Sequence, residues 1–577
     1  MKSMKNTSRW QIPFWLGFLA LLLVVFDLGF EQSLRWQAAL RSAYSVTIAL
    51  GAFVLVARYF YPKQRPKRKA LVFDAFFLIT YIFTLLATTG LGDWPSLSSR
   101  PWLAIVISLI FFRELSALKL DLSRRQVNPA QLFAGSFMAL ILIGTLLLML
   151  PNATYNGLGA IDALFTSTSA VCVTGLVVVD TGSYFTLFGQ VIILLLIQLG
   201  GIGVMTFTSY FGYFFRGASS LEHQLLLSEM TNSDRLGEVF GTLKKIILLT
   251  FFIEATGALI IYATLDDGQL RSFADRLFFS GFHAVSAFCN AGFSTLTNSL
   301  YEPGFRFNYP LHLVLAGLFV FGGIGFPIVF NFIRYLRYRI GYVLFKVERV
   351  HLPWIININT RIVLATTGIL LAVGTGAFYV LEYHNTLAEH NGFGKIVTAF
   401  FGAATPRTAG FNSVDTAALT FPATMIIFFL MWVGASPGST GGGIKTSTLA
   451  IGTLNFFSLA QGKKRIEAFH REISGLSVRR AFAIISLSLI VIGFAIFALA
   501  ISDSDKDLLH IAFEAFSAYS TVGLSLGITA SLSTAGKVVI IVTMFIGRVS
   551  MLTLLVALVR KVKYQSYSYP TEDILIN

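Results

Sequence analysis

Four short tracts in this 577-residue chain hold residue types suited to cation chemistry: Val173-Thr174-Gly175, Asn290-Ala291-Gly292, Thr408-Ala409-Gly410 and Thr521-Val522-Gly523. Each closes a short apolar stretch, and the glycines follow one another at intervals of 117, 118 and 113 residues, counted between successive positions. The chemistry they could do is coordination by the main chain. Carbonyl oxygens turned towards a common axis replace the water shell of a cation. Glycine is needed because carbonyls that point one way along a narrow strand demand backbone angles that a Cβ resists. A single tripeptide of this kind carries little information, but four at nearly equal spacing are a signal.

Other residues could assist such a site. Asp180 and Asp415 each lie five positions after a tract glycine. At an outer mouth they would concentrate cations; the alternative is a loop acid that caps a helix start. Arg407, just before the third tract, could brace its loop by bonding to carbonyl oxygens. The segment 434–448, GASPGSTGGGIKTST, interrupts an apolar run of about 40 residues with Pro437 and with Gly438, Gly441, Gly442 and Gly443. Such a sequence breaks a helix, and its small residues suit a movable plug beside Lys445. It is not a phosphate-binding loop, because Ile444 intervenes before Lys445 and the glycines do not follow a strand. Arg548 lies within an apolar span, where a charge is costly and marks function by default; the competing reading is an arginine that snorkels to the interface. Glu254 is a second charge at such depth, expected to hydrogen-bond a neighbouring helix. Cys172 and Cys289 read as small packing residues, since no ligand partner stands at metal-site spacing.

The elements that must position these residues belong to lipid. The chain is 55% hydrophobic and 13% charged, against about 25% charged in a soluble chain, with a mean hydropathy of +0.71. Apolar runs of about 20 residues recur along its length, each enough to cross the bilayer core. The net charge of +15 does not point to nucleic acid, because the basic clusters at 58–69, 334–349, 462–480 and 560–563 occupy alternate loops, as the positive-inside rule requires. Four spans come first, near 14–30, 43–61, 70–89 and 101–117. A frame of span, half-span and span then occurs four times: 132–150, 162–176, 186–214; 244–264, 276–293, 310–333; 361–381, 394–411, 419–459; and 480–501, 508–524, 535–559. Echoes follow each tract, in GGIGVMT (200–206), GGIGFPI (322–328), GGGIKTS (441–447) and IGRVSML (546–552); the GGIG glycines are read as permitting close helix packing.

The expected fold is therefore an all-α polytopic membrane protein with four span–pore-helix–span repeats in pseudo-fourfold arrangement plus four extra N-terminal transmembrane helices. Its expected divisions are 1–127 for the N-terminal four-helix membrane extension, then 128–216, 217–343, 344–465 and 466–577 for the four pore repeats. Each short helix would aim the negative end of its dipole at the axis. Both termini fall on the cytoplasmic side.

The tracts VCVTGLVVVDT (171–181), FCNAGFS (288–294), ATPRTAGFNSVD (404–415) and YSTVGLS (519–525) resemble the four filter segments of the Trk/Ktr/HKT superfamily of potassium transporters, most closely the TrkH/KtrB type of membrane subunit. The resemblance covers roughly residues 128–577, including the terminal YPTEDILIN. It implies a potassium filter made by backbone carbonyls of all four tracts, with glycine at 175 favouring potassium over sodium. It implies that 434–448 is an intramembrane gating loop and that Arg548 is a barrier below the filter. It further implies a homodimer in a bacterial plasma (inner) membrane, no cofactor in this chain, and a cytoplasmic nucleotide-binding RCK regulatory subunit of the TrkA/KtrA type. A sodium-permeable or sodium-coupled transporter of the same fold stands as an alternative.

Two further classes fit less well. A secondary transporter with a midplane binding site uses inverted repeats, whereas repeats that begin and end on one side are parallel. An enzyme would need a nucleophile–base set or an acid dyad, and the spans offer none. Residues 1–127 lack the arginine every third position that a voltage sensor requires; Arg113, with Asp74 as its expected partner, suits a packing role.

Overall fold

The computed structural model describes residues 12–60, 71–117, 129–203, 239–345 and 356–549, apart from the single positions 93, 267, 271 and 464. Of the basic clusters, 61–69, 346–349 and 560–563 lie outside the described residues, as do the ends of the spans at 204–214 and 550–559 and the terminal tail. Among those described, six helices are long and apolar enough to cross a membrane, or seven if one bent pair is counted as a span.

The first four helices are α1 (Ile12–Gly29), α2 (Leu34–Phe60), α3 (Leu71–Thr88) and α4 (Arg100–Ala117). They pack on one another around Tyr44, Ile48, Tyr81, Val106 and Ile107. At one end the expected Asp74–Arg113 pair is formed, at 2.7 and 3.0 Å, beside a second buried pair, Arg58–Glu114 at 2.5 Å. Both arginines are thus spent on fixed partners within the bundle. The bundle meets the rest of the chain where the Asn152 amide donates to the Leu28 carbonyl at 3.0 Å.

The four repeats follow. The first has α5 (Pro129–Leu148), the short α6 (Ala160–Val171) and α7 (Leu187–Ile202). The second has α8 (Val239–Thr264), the short α9 (Phe273–Phe288), then α10 (Tyr309–Ile324) and α11 (Phe326–Phe345). The third has α12 (Ile358–Glu382), the short α13 (Gly392–Ala404), α14 (Phe421–Trp432) and α15 (Thr446–Ala460). The fourth has α16 (Gly475–Ser502), the short α17 (Leu508–Ser520) and α18 (Thr534–Val549). A hairpin of β1 (Glu467–Ala468) and β2 (Arg471–Glu472) precedes α16, a small departure from the all-α expectation.

Each short helix begins at a residue that satisfies exposed N–H groups or frees the backbone. Ser272, Asn391 and Asp507 accept from Asp275, Gly394 and Leu509 respectively, as caps should, while Gly159 stands at the start of α6. Packing closes the repeats into a cycle. Besides its own repeat, α9 packs on α7, α13 on α10, α17 on α14 and α6 on α18.

One expected span is not straight. The run 310–333 bends by 102° between α10 and α11, because Gly325 takes φ 93° and ends the helix while the Phe326 N–H turns to the Gly438 carbonyl at 3.1 Å. The GGIG glycines therefore divide their work. Gly200 and Gly322 lie against the Val171 and Phe288 carbonyls, leaving no room for a Cβ, whereas Gly203 (φ 83°) and Gly325 stop helices.

Candidate functional site

The four glycine tracts meet. A Cβ added at Gly175 would fall on the Ala291 carbonyl and lie 3.2 Å from the Gly292 Cα. One at Gly292 would lie 2.8 Å from the Ala409 oxygen and 3.0 Å from the Gly410 Cα; one at Gly410 would meet the Val522 oxygen and lie 3.3 Å from the Gly523 Cα. The cycle closes at Gly523, whose Cβ would meet the Thr174 oxygen and lie 3.0 Å from the Gly175 Cα. Residues spread over some 350 positions thus form one ring in chain order.

The backbone of the ring is unusual in the same way four times. Two residues before each glycine, Val173 (φ 56°), Asn290 (60°), Thr408 (74°) and Thr521 (50°) take left-handed conformations. For β-branched valine and threonine that is a true outlier, and strain of this kind persists only where surroundings over-determine it. The glycines themselves have φ of 90°, 69°, 77° and 93°. Between these two positions Thr174, Ala291, Ala409 and Val522 do not take positive φ, so left-handed residues alternate with others along each tract. All eight non-glycine residues named here are fully buried.

A set of hydroxyls that sequence reading missed helps to over-determine the strain. Ser169 and Ser517 accept from the Gly175 and Gly523 N–H groups at 3.1 Å. Ser286 donates to the Phe293 carbonyl at 2.7 Å, and Thr405 to the Phe411 carbonyl at 2.6 Å. The signal was available: three of the hydroxyls stand six residues before a tract glycine, and the fourth stands five before it. Two carboxylates were missed as well. Buried Glu514 in α17 accepts from the Ser525 and Thr529 hydroxyls, and Glu382 at the end of α12 accepts from the Thr420 N–H and hydroxyl at 2.9 and 2.7 Å. An acid inside or ending an apolar helix was the available cue.

The break between α14 and α15 lies against the ring. Gly442 N–H donates to the Thr521 hydroxyl at 3.0 Å, and a Cβ at Gly441 would collide with the Thr408 hydroxyl. Thr440 reaches the Phe288 carbonyl at 3.3 Å and the Gly322 carbonyl at 3.2 Å. Lys445 folds back onto the Gly441 carbonyl at 2.6 Å and the Gly442 carbonyl at 3.3 Å, while Gly438 and Gly443 supply φ of 71° and 68°. Arg548 of α18 donates to the Thr440 carbonyl and, at 2.6 Å, to the Gly200 carbonyl. One guanidinium therefore joins the third repeat to the first.

The remaining candidates have local partners or none. Asp180 is half-buried and caps the turn at 181–184, accepting from the Ser183 N–H and hydroxyl at 2.6 and 2.7 Å. Asp415 is exposed and accepts from the Ala417 N–H at 3.0 Å. Asp180 has the helix-capping role that stood as the alternative, whereas Asp415 closes a loop turn and caps no helix. Glu254 accepts from the Gln198 amide with both oxygens at 3.0 Å, the expected helix-to-helix bond, and Cys289 lies 3.7 Å from it. Cys172 and Cys289 are buried free thiols. Arg407 departs from expectation: among the described residues its side chain makes no hydrogen bond and no ion pair, and its Nε is buried without a partner. The expected brace to carbonyls is not formed, because Arg407 follows α13 closely enough for its side chain to enter a cavity between helices.

Four short helices that close a cycle, bring four strained glycine tracts to one ring and lie among membrane-length helices define a membrane transport protein, not an enzyme. The chain belongs to the family described as "TrkH: Cation transport protein", whose model matches residues 102–568. It is 37% identical over 449 residues to the Ktr system potassium uptake protein B of Bacillus subtilis, covering 78% of this chain and 96% of that protein. The protein of the same name from Vibrio alginolyticus is 38% identical over 447 residues, covering 76% of this chain and 93% of that protein. The potassium/sodium uptake protein NtpJ of Enterococcus hirae is 34% identical over 461 residues, covering 78% of this chain and 98% of that one. The fold is similar to the crystal structure of the potassium transporter TrkH from Vibrio parahaemolyticus, with a TM-score of 0.60, 16% identity, and coverage of 95% of this chain and 99% of the other.

Proposed function

We propose that this protein carries potassium into the cell across a bacterial plasma membrane, through a channel-like pore built within one chain. The observation that supports this most is the cyclic contact of Gly175, Gly292, Gly410 and Gly523, each with positive φ. On this reading the four tracts are a filter whose backbone carbonyls replace the hydration shell of potassium, and α6, α9, α13 and α17 aim their negative dipole ends at it. The five divisions of the chain, from the 1–127 extension through the four repeats, follow from the same arrangement. Asp180 and Asp415 stand near the outer entrance and add negative potential there while closing their turns.

The 434–448 segment is the gate. It lies against Thr408, Asn290 and Thr521; Arg548 holds it through the Thr440 carbonyl, and Lys445, within it, folds back on its own Gly441 carbonyl. Both cations oppose passage of a like charge while the segment is seated. The names of the Ktr relatives point to a multi-component system, and we assign this chain a place as its membrane subunit, a homodimer in lipid with both termini inside and a cytoplasmic RCK regulatory subunit that binds nucleotide. A second reading, passage of sodium alone or with potassium, draws on the printed name of the Enterococcus hirae relative. The test is growth of a potassium-uptake-deficient bacterium on low potassium with the wild type and with Gly175→Ser. Rescue by the wild type and a fall in potassium preference over sodium in the variant are expected. An unaltered preference would overturn the filter assignment.

A further inference from the structure

The short helices and the segments that leave the tracts carry a second pattern, set by side chains. Nine positions before the four tract glycines stand Thr166, His283, Phe401 and Glu514, and two positions after them stand Val177, Ser294, Asn412 and Ser525. In the second and fourth repeats the two positions are joined. The His283 Nε2 lies 2.9 Å from the Ser294 hydroxyl, and the Glu514 Oε1 accepts from the Ser525 hydroxyl and, at 2.7 Å, from that of Thr529. The His283 Nδ1 lies 2.9 Å from the Phe279 carbonyl, which can only accept, so Nδ1 holds the ring proton and Nε2 is the acceptor. Each serine oxygen accepts in turn from the N–H two residues on, from Leu296 at 3.0 Å and from Gly527 at 2.9 Å. One line of bonds thus runs from a loop N–H through a serine to a fully buried acceptor on the short helix.

The first and third repeats lack this line. Val177 and Asn412 bring no hydroxyl, the Thr166 hydroxyl is buried without a partner, and Phe401 packs its ring on His312 and Phe319. Their segments lean on the other two instead. The Leu300 N–H donates to the Asn412 carbonyl at 3.1 Å, the Thr416 hydroxyl donates to the Ser525 carbonyl at 2.6 Å, and a Cβ at Gly182 would fall on the Thr295 carbonyl. Because the quadrants follow one another in chain order, the second and fourth face each other across the ring. The Glu514 Oε2 is buried without a hydrogen-bond partner, and an acid left so is costly, which sets it apart from a packing residue.

We infer that His283 and Glu514 are positioning residues for ion selection: acting through Ser294 and Ser525, they tie the second and fourth segments to their short helices and hold the span of the ring along one diagonal. The inference rests on the filter reading proposed above. A ring held at one span suits one ion size, whereas a ring free to contract also coordinates a smaller ion. The segments of the first and third quadrants, resting on the tied pair, keep their places through it.

The test measures rubidium uptake by the full chain in potassium-uptake-deficient cells, with potassium and sodium as competitors and normalised to the amount of protein in the membrane. Preference is the ratio of the half-inhibiting sodium and potassium concentrations. Loss of one hydrogen bond shifts an equilibrium by about two- to tenfold, so Ser294→Ala and Ser525→Ala should each lower the preference by that factor. Thr166→Val removes a hydroxyl that bonds nothing and should leave the preference unchanged; Glu514→Gln keeps an accepting oxygen and should stay near wild type. An unaltered preference in both serine variants, where Gly175→Ser lowers it in the same assay, overturns this inference alone. If Gly175→Ser also leaves the preference unaltered, the filter reading fails and this inference fails with it. A fall in Thr166→Val or Glu514→Gln as large as that in Ser525→Ala overturns the inference too, because helix packing or carboxylate charge would then be the cause.

Discussion

Gly523 and Gly527 stand four residues apart in one loop and need the same backbone freedom, with φ of 93° and 98°. Their surroundings differ. A Cβ at Gly527 meets nothing within 4 Å, whereas one at Gly523 would fall on the Thr174 carbonyl and lie 3.0 Å from the Gly175 backbone. Both alanine variants thus carry the cost of a left-handed alanine, about 1–3 kcal/mol. Only Gly523→Ala must also push a neighbouring strand, an overpacking cost of about 1–3 kcal/mol more. Spread over the equilibrium between intact and displaced rings, that extra cost is a factor of about 5 to 150. Rubidium uptake in potassium-uptake-deficient cells, normalised to the amount of protein in the membrane, should therefore fall by that factor in Gly523→Ala relative to Gly527→Ala. Melting temperatures of the purified variants check that the shared backbone cost is comparable. Equal uptake by the two variants at equal abundance would show that contact between the fourth and first tracts does not matter to transport, and the ring would lose its functional meaning.

Two other outcomes test the neighbouring elements. Arg548→Ala removes charge-assisted bonds to the Thr440 and Gly200 carbonyls, each worth about 1.5–3 kcal/mol, and should raise resting potassium flux in reconstituted vesicles while membrane abundance is kept; unchanged flux would retire the gate role. At the end of α16, burial would push the Asp503 carboxyl up, yet the Ser502 hydroxyl, the Ser533 N–H and hydroxyl, and Lys506 together hold it below the ordinary carboxylate range. A depressed folded-state pKa means that this contribution is present above the unfolded value, near 3.9, and is lost as pH falls through the folded one. Asp503→Asn should accordingly lower the melting temperature at pH 7 and lessen the further loss on acidification below about pH 4; an acid-loss curve identical to wild type would refute the clamp.

What the sequence made legible was what repeats. Four glycines at near-equal spacing pointed to one ring, and the apolar periodicity around them gave the starts of the short helices within three residues, while the expected stretches ran on past the helix ends into the tracts: 394–411 against Gly392–Ala404, and 508–524 against Leu508–Ser520. The interruption at 434–448 was equally plain because proline and glycine have strong local effects. What stayed hidden depended on long-range partners. Gly325 looked like a packing glycine because its neighbour, the Gly438 carbonyl, lies 113 positions away in the chain. The serines that bond the tracts look like any polar residue in a short helix until the tract N–H is placed beside them. Arg407 was read as a brace on the ground that buried charges find partners, and no local pattern could show that the surrounding helices leave it facing an enclosed space.

The differences among the quadrants matter as much as their likeness. A pore assembled from four identical chains must place any side chain near the axis four times. Four guanidiniums about 8 Å apart would repel by about 2 kcal/mol per pair at an effective dielectric of 20, and each would need its own carbonyl partners. In this chain Arg548 occurs once, where the other repeats have Ile202, Ile324 and Gly443. Its two bonds run to opposite neighbours, to Gly200 of the first repeat and Thr440 of the third. The long break it holds, between α14 and α15, lies in the third repeat, whereas the second repeat has the sharp bend at Gly325. Joining the quadrants covalently thus permits one seated segment and one cation to hold it, with the ring above kept fourfold in its backbone. If that is the reason for the asymmetry, moving the arginine should fail: Arg548→Ile combined with Ile324→Arg would leave the segment unheld and leave Gly200 without its donor.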